Sequence, residues 1–447
     1  MNRWSNAGAG SDVRYGAAAF TLGMPTIPLL IHLPPVYAEE LGLGLTATGA
    51  ALFAARFVDV ITDPIIGAVS DRLNSPFGRR KPLIALGALV GVIGVLLLLN
   101  PLEGVGAFYL AASASVLYLG WTLINIPYLA WGADLHTAYD RRARLTGIRE
   151  SFMLAGILVA GVIPAVAVAS GASGMSALAI TGWGIVVAGA VVFSFLLGTV
   201  AEPAPRPLQG QDPLLPSIRD LAGNGPFNRL LAGWFVNSLA NGIPAVLFIL
   251  YMKHAIGAGA ITQGVLTLLY FLAGIVCMPV WIWLSHRYGK HRVWCMAMVL
   301  ASITFAVVPV LEAGDIFLFG IVVLLTGFCL GADLALPPAM QADVAEYEYF
   351  RKRRDRTGIM FAAWSMSTKL ALAASVGIAF PLLDWLGTPE PGATEKYNLM
   401  TLALIYAGLP VVLKLGAIWL IWGYPLSQAK MAVIQRRLST TIKKSSD

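Results

Sequence analysis

Runs of apolar residues, each about 20 or more long, recur along this chain, and short segments carrying most of its charge separate them. At 1.5 Å of helical rise per residue, such a run crosses a hydrocarbon layer of roughly 30 Å. A backbone in that layer finds no water to bond, so each run must satisfy its own amides, and the helix does this. Charge makes up only 12% of the 447 residues, about half the share of a soluble domain. The sequence therefore predicts an all-α membrane protein in contact with a lipid bilayer.

Helices are expected near 15–37, 46–70, 82–100, 105–132, 147–170, 176–201, 228–252, 260–285, 292–312, 315–346, 357–383 and 397–424. The intervening loops alternate in charge. One set holds Arg72, Arg79, Arg80 and Lys81, then Arg141, Arg142 and Arg144, then Arg287, Lys290 and Arg292, and finally the run from Arg351 to Arg356. The other set offers Lys253 and Lys396 beside Glu39, Glu40, Glu103, Glu312 and Asp384. Cationic loops stay in the cytoplasm, so both termini are expected there, in a cell inner membrane crossed twelve times. The net charge of +7 thus marks topology and not a nucleic-acid surface. Arg3 and Arg14 precede a first apolar run that many others follow, which does not read as a cleaved leader. The three cysteines, Cys277, Cys295 and Cys329, lie in or beside apolar segments without paired or metal-ligand spacing.

From Glu202 to Asn228 the chain is polar and broken by Pro203, Pro205, Pro207, Pro213, Pro216 and Pro226, which prevents either flanking helix from continuing. It reads as a linker at 202–227 between halves at 1–201 and 228–425, with a cytoplasmic tail at 426–447. The halves resemble each other. Pro64 precedes Ser70-Asp71-Arg72 as Pro279 precedes Ser285-His286-Arg287, and Gly78-Arg79-Arg80-Lys81 answers to Gly289-Lys290-His291-Arg292. An offset of 211 then relates Pro127 to Pro338 and Thr146-Gly147-Ile148 to Thr357-Gly358-Ile359. Two pseudo-symmetric six-helix bundles related in this way are the layout of the major facilitator fold, with a substrate site expected at mid-membrane.

Ionisable groups within a bilayer are functional candidates by default. The second expected helix carries Arg56, Asp59 and Asp63, whose spacings of three and four place them on one face. One cation between two carboxylates leaves an excess negative charge, which a monovalent cation or a proton would neutralise. Thr62 and Thr122 could add hydroxyl oxygens of the kind sodium prefers. The alternative is a structural ion-pair stripe between helices. Lys369 lies about twelve residues into its helix, roughly 18 Å deep; it either faces a cavity and pairs with the second-helix carboxylates or pairs with Asp333. Asp333 itself is divided between substrate site and structural partner. Arg149 is either a ligand group or an interfacial anchor.

Gly67 and Asp71-Arg72, followed by Gly78-Arg79-Arg80, read as a gate brace: glycine allows close helix approach, and Asp71 can pair with a basic group. Trp121, Tyr128, Trp131 and Trp364 could stack on a sugar, or serve ordinary packing. The chain has no G-x-x-x-x-G-K-[ST], H-E-x-x-H or G-x-S-x-G motif, so no ATPase or hydrolase chemistry is expected.

The segment Arg56-Phe57-Val58-Asp59-Val60-Ile61-Thr62-Asp63-Pro64-Ile65-Ile66-Gly67, with Phe77-Gly78-Arg79-Arg80-Lys81-Pro82, resembles the glycoside–pentoside–hexuronide:cation symporter family. Ile126-Pro127-Tyr128, Arg144-Leu145-Thr146-Gly147-Ile148-Arg149, Pro226-Phe227 and Arg356-Thr357-Gly358-Ile359 extend the resemblance over nearly the whole chain. It implies cation binding by Asp59 and Asp63 with help from Thr62 and Thr122. It also places the family's intramembrane lysine on Lys369 and its fifth-helix arginine on Arg149. Two positions depart from the melibiose-permease-like pattern: Gly23 and Asn125 stand where sugar-binding carboxylates are expected.

The expectation is a transporter, not an enzyme, coupling a sodium ion or proton to a sugar or related small solute, with no other cofactor and as a monomer. An amphipathic substrate such as a lysolipid is the alternative, which a greasy cavity would favour. A non-transporting membrane sensor or scaffold is a third.

Overall fold

The computed structural model describes residues 9–102, 104–136, 138–203, 221–386 and 398–446. Glu103, Lys396 and most of the expected linker, including Pro205, Pro207, Pro213 and Pro216, lie outside the described residues. The elements are helices throughout these residues: α1 (Ala9–Gly23), α2 (Leu45–Arg72), α3 (Lys81–Leu99), α4 (Ala107–Leu135), α5 (Tyr139–Ala169), α6 (Gly174–Thr199), α7 (Gly225–Tyr251), α8 (Ala260–Tyr288), α9 (Lys290–Ala306), α10 (Ile316–Lys352), α11 (Thr357–Leu386), α12 (Leu399–Trp422) and α13 (Gln428–Ser446). Among the described residues, ten helices are long and apolar enough to cross a membrane. Outside that set are α1, α2 and the polar α13. α1 has only 15 residues before the chain turns irregular, and α2 carries Arg56, Asp59 and Asp63 at its middle.

Local chemistry accounts for the interruptions. Pro28, Pro34 and Pro35 remove amides from the chain after α1, which continues in wide turns where Leu33 N–H bonds Pro28 O and Leu41 N–H bonds Val36 O. α7 opens on Asn224, whose side chain accepts from Phe227 N at 3.1 Å, with Pro226 in the first turn, where a missing amide costs nothing.

The chain forms two compact units. One comprises Met1–Ile218 with Glu348–Ala363, the other Arg219–Tyr347 with Trp364–Asp447. The first packs around Tyr37, Leu98, Leu99 and Leu117 and, further along, around Tyr15, Ile84, Tyr128 and Trp131. The second packs around Ile243, Leu247, Tyr251, Phe319 and Tyr406. In α2 the usual soluble pattern is reversed. Phe53, Phe57, Ile61 and Ile65 are exposed while Ala55, Asp59 and Asp63 are buried. An outward apolar stripe around an inward polar one suits a lipid solvent and would be costly in water.

α13 is amphipathic. Met431, Ile434 and Leu438 are buried at helical spacing, and Gln435 Nε2 donates to Glu346 Oε2 at 3.1 Å.

Candidate cation and substrate site

Three oxygen-bearing side chains meet in the first unit. The Thr122 hydroxyl on α4 lies 3.0 Å from Asp59 Oδ1 and 2.9 Å from Asp63 Oδ1, with both carboxyls buried. The four-residue spacing on α2 stacks the two aspartates one turn apart, and α4 crosses beside them. A hydroxyl carries one proton and can donate to only one of these oxygens at a time. The second contact therefore suits a proton on a carboxyl or a cation among the oxygens.

Arg56 Nη1 stands 3.6 Å from Asp59 Oδ2 and is 45% exposed, its guanidinium lying 4.3 Å over the Tyr118 ring. Thr62 is half-buried and donates its proton to the Asp59 carbonyl at 3.2 Å. It closes a turn of its own helix.

The expected aromatic and basic ligands fall into separate settings. Tyr128 is buried. Its hydroxyl donates to the Tyr15 carbonyl at 2.7 Å, that of Tyr15 donates to the Tyr128 carbonyl at 2.6 Å, and the rings stack at 4.4 Å. Tyr128 thus fastens α1 to α4. Arg149 is buried and pairs with its neighbour Glu150, also buried; Glu150 was not among the expected site residues. Trp121 and Asn125 are half-buried on α4. At Gly23, an added Cβ would lie 2.1 Å from the Met153 carbonyl of α5. That close packing of α1 on α5 leaves no room for a carboxylate.

In the second unit Trp364 stacks on Trp234 with ring centroids 4.5 Å apart, and Trp234 Nε1 donates to Thr368 Oγ1 at 2.8 Å. Asp333 accepts from Trp294 Nε1 at 2.6 Å and from Asn241 Nδ2 at 2.9 Å, and the ammonium 3.7 Å away belongs to Lys414. The cation beside Asp333 is therefore Lys414, not Lys369. Lys369 is half-buried on α11. Lys414 was legible as a lone cation inside the last apolar run, yet its partners lie on α7 and α10, far away in sequence.

The residues expected to brace a gate lie in a polar network within the first unit. A Cβ on Gly67 would approach the Gly358 carbonyl to 2.8 Å, and one on Gly358 would approach that of Gly67 to 2.5 Å. The two glycines thus bring α2 against the start of α11. One turn later, Asp71 accepts from Gly358 N at 2.7 Å and Ile359 N at 3.0 Å, capping that helix with a charge where its dipole favours one. Arg80 Nη1 reaches Asp71 at 3.1 Å and Ser70 at 2.6 Å, and its Nη2 lies 3.5 Å from Asp134. Arg79 bonds Asp355 at 2.7 Å and stands 3.5 Å from Asp71. Burial works against the Arg79 charge, but Asp355, Asp71 and Asp134 outweigh it, so its pKa is raised above the ordinary arginine value. Gly78 has φ of 109°, a left-handed conformation that favours glycine, and it leads into Arg79 and Arg80 amides that both donate to Glu202 at 2.8 Å. Arg72 is exposed at the end of α2. Asp134, Asp355 and Glu202 were not singled out in the sequence, because nothing local joins them to the motif.

A membrane-spanning helical chain built on these motifs is a transporter of the major facilitator kind. It belongs to the MFS/sugar transport protein family, whose model it matches over residues 14–428. Among similar proteins is YagG of Escherichia coli, provisionally named a glycoside/cation symporter, 22% identical over 95% of this chain and 94% of that one. The human sodium-dependent lysophosphatidylcholine symporter 1 is 23% identical over 87% of this chain and 78% of its own. The solved fucose:proton symporter of Escherichia coli has the same fold, with a TM-score of 0.65 at 15% identity over 92% of this chain and 97% of that one.

Proposed function

We propose that this protein is a secondary transporter that couples entry of a monovalent cation, sodium or a proton, to symport of a small organic solute by alternating access. The observation that carries the reading is the meeting of Asp59, Asp63 and Thr122 at one point, with a single hydroxyl serving two buried carboxyls. Hard oxygens in that number suit an alkali cation or a shared proton. Relatives named as cation symporters support the same role. The proposal includes twelve membrane crossings in two six-helix bundles at 1–201 and 228–425, α1 and α2 among them. It also includes an inner-membrane location, a monomer and cytoplasmic termini, the last resting on loop charge.

The solute is a sugar or a related molecule, as the family description suggests, with Trp121, Asn125 and Arg149 in the first unit and Lys369 and Trp364 in the second as its contacts. An amphipathic solute is the second reading. It is favoured by the largely apolar cavity of the second unit and by the names of the lysolipid-transporting relatives.

The test starts from a thermal-shift screen of sugars, lysolipids and cations on purified protein. The solute found is then followed into proteoliposomes under an imposed sodium or proton gradient. The Asp59→Asn, Asp63→Asn double variant should fold and lose concentrative uptake. Uphill accumulation by that variant would remove the α2 aspartates as the coupling site.

A further inference from the structure

Helices α7, α8, α9, α10 and α12 line a partly open cavity of about 190 Å³ within the second unit. Its walls are mainly apolar, with Phe248, Phe271, Phe305 and Leu330 among them. Two threonines also line it, but their hydroxyls are used: Thr267 donates to Gln263 O and Thr326 to Val322 O, each at 2.8 Å. Tyr270 and Tyr406 add two phenol hydroxyls to the lining, so the wall offers few polar partners for the many hydroxyls of a sugar. A void of this size weakens a core unless something fills it, and apolar cavities of about 150 Å³ accept a benzene ring.

One end is different. Asp333, Lys414 and Asn241 border the cavity there. The Lys414 ammonium gives one proton to Asn237 Oδ1 at 3.0 Å and one to Asn241 Oδ1 at 2.8 Å. Its third proton faces Asp333 only at 3.7 Å, beyond hydrogen-bond length. An acceptor oxygen entering from the cavity would complete the ammonium's coordination. The neighbouring Asp333 carboxylate disfavours an anion there, so a neutral acceptor fits.

We propose that this cavity is a binding pocket for one aromatic ring, or a chain of about six to eight carbons, bearing a hydroxyl or carbonyl at the Lys414 end. As the seat for the apolar part of the cargo it rests on the transport reading; as a binding site it needs neither gradient nor coupling.

Cys329 lines the cavity and is buried, which supplies the probe. In full-length purified protein carrying Cys277→Ala and Cys295→Ala, Cys329 is the remaining thiol. Its reaction with N-ethylmaleimide, followed by mass spectrometry, should slow at least threefold in benzyl alcohol and be unchanged in glucose at equal concentration. Ala301→Phe, or the milder Thr326→Leu if the first unfolds the protein, should fill the space and abolish the effect of benzyl alcohol. The Lys414→Met, Asp333→Leu pair should raise the benzyl alcohol needed at least threefold. Protection should persist in the Asp59→Asn, Asp63→Asn background, which separates this pocket from the coupling reading. Equal slowing by glucose, slowing that survives both filling changes, or a Cys329 that the maleimide never reaches in folded protein would each overturn the pocket.

Discussion

Replacing Thr122 with valine removes one oxygen from the α2–α4 cluster while nearly preserving its volume. The lost group is a hydroxyl 2.9 and 3.0 Å from two buried carboxyl oxygens. A hydrogen bond to a charged group contributes about 1.5–3 kcal/mol, and each 1.4 kcal/mol is about tenfold in affinity. If the hydroxyl helps to hold a cation between Asp59 and Asp63, Thr122→Val should weaken sodium binding by about tenfold to a hundredfold. Thr122→Ser, which keeps the oxygen, should stay within about threefold of the parent, a difference near 0.6 kcal/mol. The assay is a sodium titration of purified protein in choline buffer at fixed pH, read by tryptophan fluorescence, with thermal unfolding of each variant as the control for folding. Sodium affinity in a folded Thr122→Val equal to the parent's would refute the role of the hydroxyl. A parent with no sodium response would pass the coupling role to the proton.

Asp71→Asn should lower transport and thermal stability with little change in ligand affinity. It keeps one acceptor for the start of α11 but removes the charge that faces Arg79 and Arg80, a loss of about 2–3 kcal/mol; abolished ligand binding in a folded variant would instead place Asp71 in a ligand site. Lys414→Met should destabilise by about 3–5 kcal/mol because it leaves the Asp333 carboxylate buried without its cation. Adding Asp333→Asn should recover much of that, and strictly additive losses in thermal unfolding would show that the two do not act as a pair. Single cysteines at Ser75, Gln209 and Ser439 should be labelled from the cytoplasm and one at Gly42 only from outside; labelling of Gly42 and Ser75 from the same side would sink the twelve-crossing map.

The parts legible in the sequence were those whose chemistry is local. Asp59 and Asp63 stand four apart on one helix, so periodicity put them on a common face, and Thr122, on another helix, was a candidate oxygen for the same ion that the family resemblance also implied. Gly67 and Asp71 are likewise a turn apart, and a close helix approach at the glycine and a basic partner for the aspartate were expected. The distant partners were not. Asp71 caps amides of Gly358 and Ile359, 287 and 288 residues away, and Arg79 finds Asp355 across 276. Tyr128 was misleading for a related reason. An aromatic beside a suspected site suggests stacking on a ligand, but the reciprocal bonds with Tyr15 spend both its ring and its hydroxyl on helix packing.

The internal repeat sets the two buried clusters beside each other more clearly than composition does. The offset of 211 that relates Pro127 to Pro338 also carries Thr122 onto Asp333. Both positions are hubs, each on the fourth helix of its repeat, and each gathers partners from helices beside it. In the first half the hub is a neutral hydroxyl and α2 brings the carboxyls. In the second half the hub is itself the carboxylate, and α7 and α12 bring two amides and an ammonium. The corresponding stretch of α8, aligned by the offset of 215 that matches Pro64 to Pro279, has Gly274 and Met278 where α2 has Asp59 and Asp63. The first cluster is a set of oxygens suited to a cation, whereas the second already contains its own cation, Lys414. One chain should therefore bind a single coupling ion, in its first half, and keep the second half's polar centre occupied and nearly neutral beside an apolar cavity.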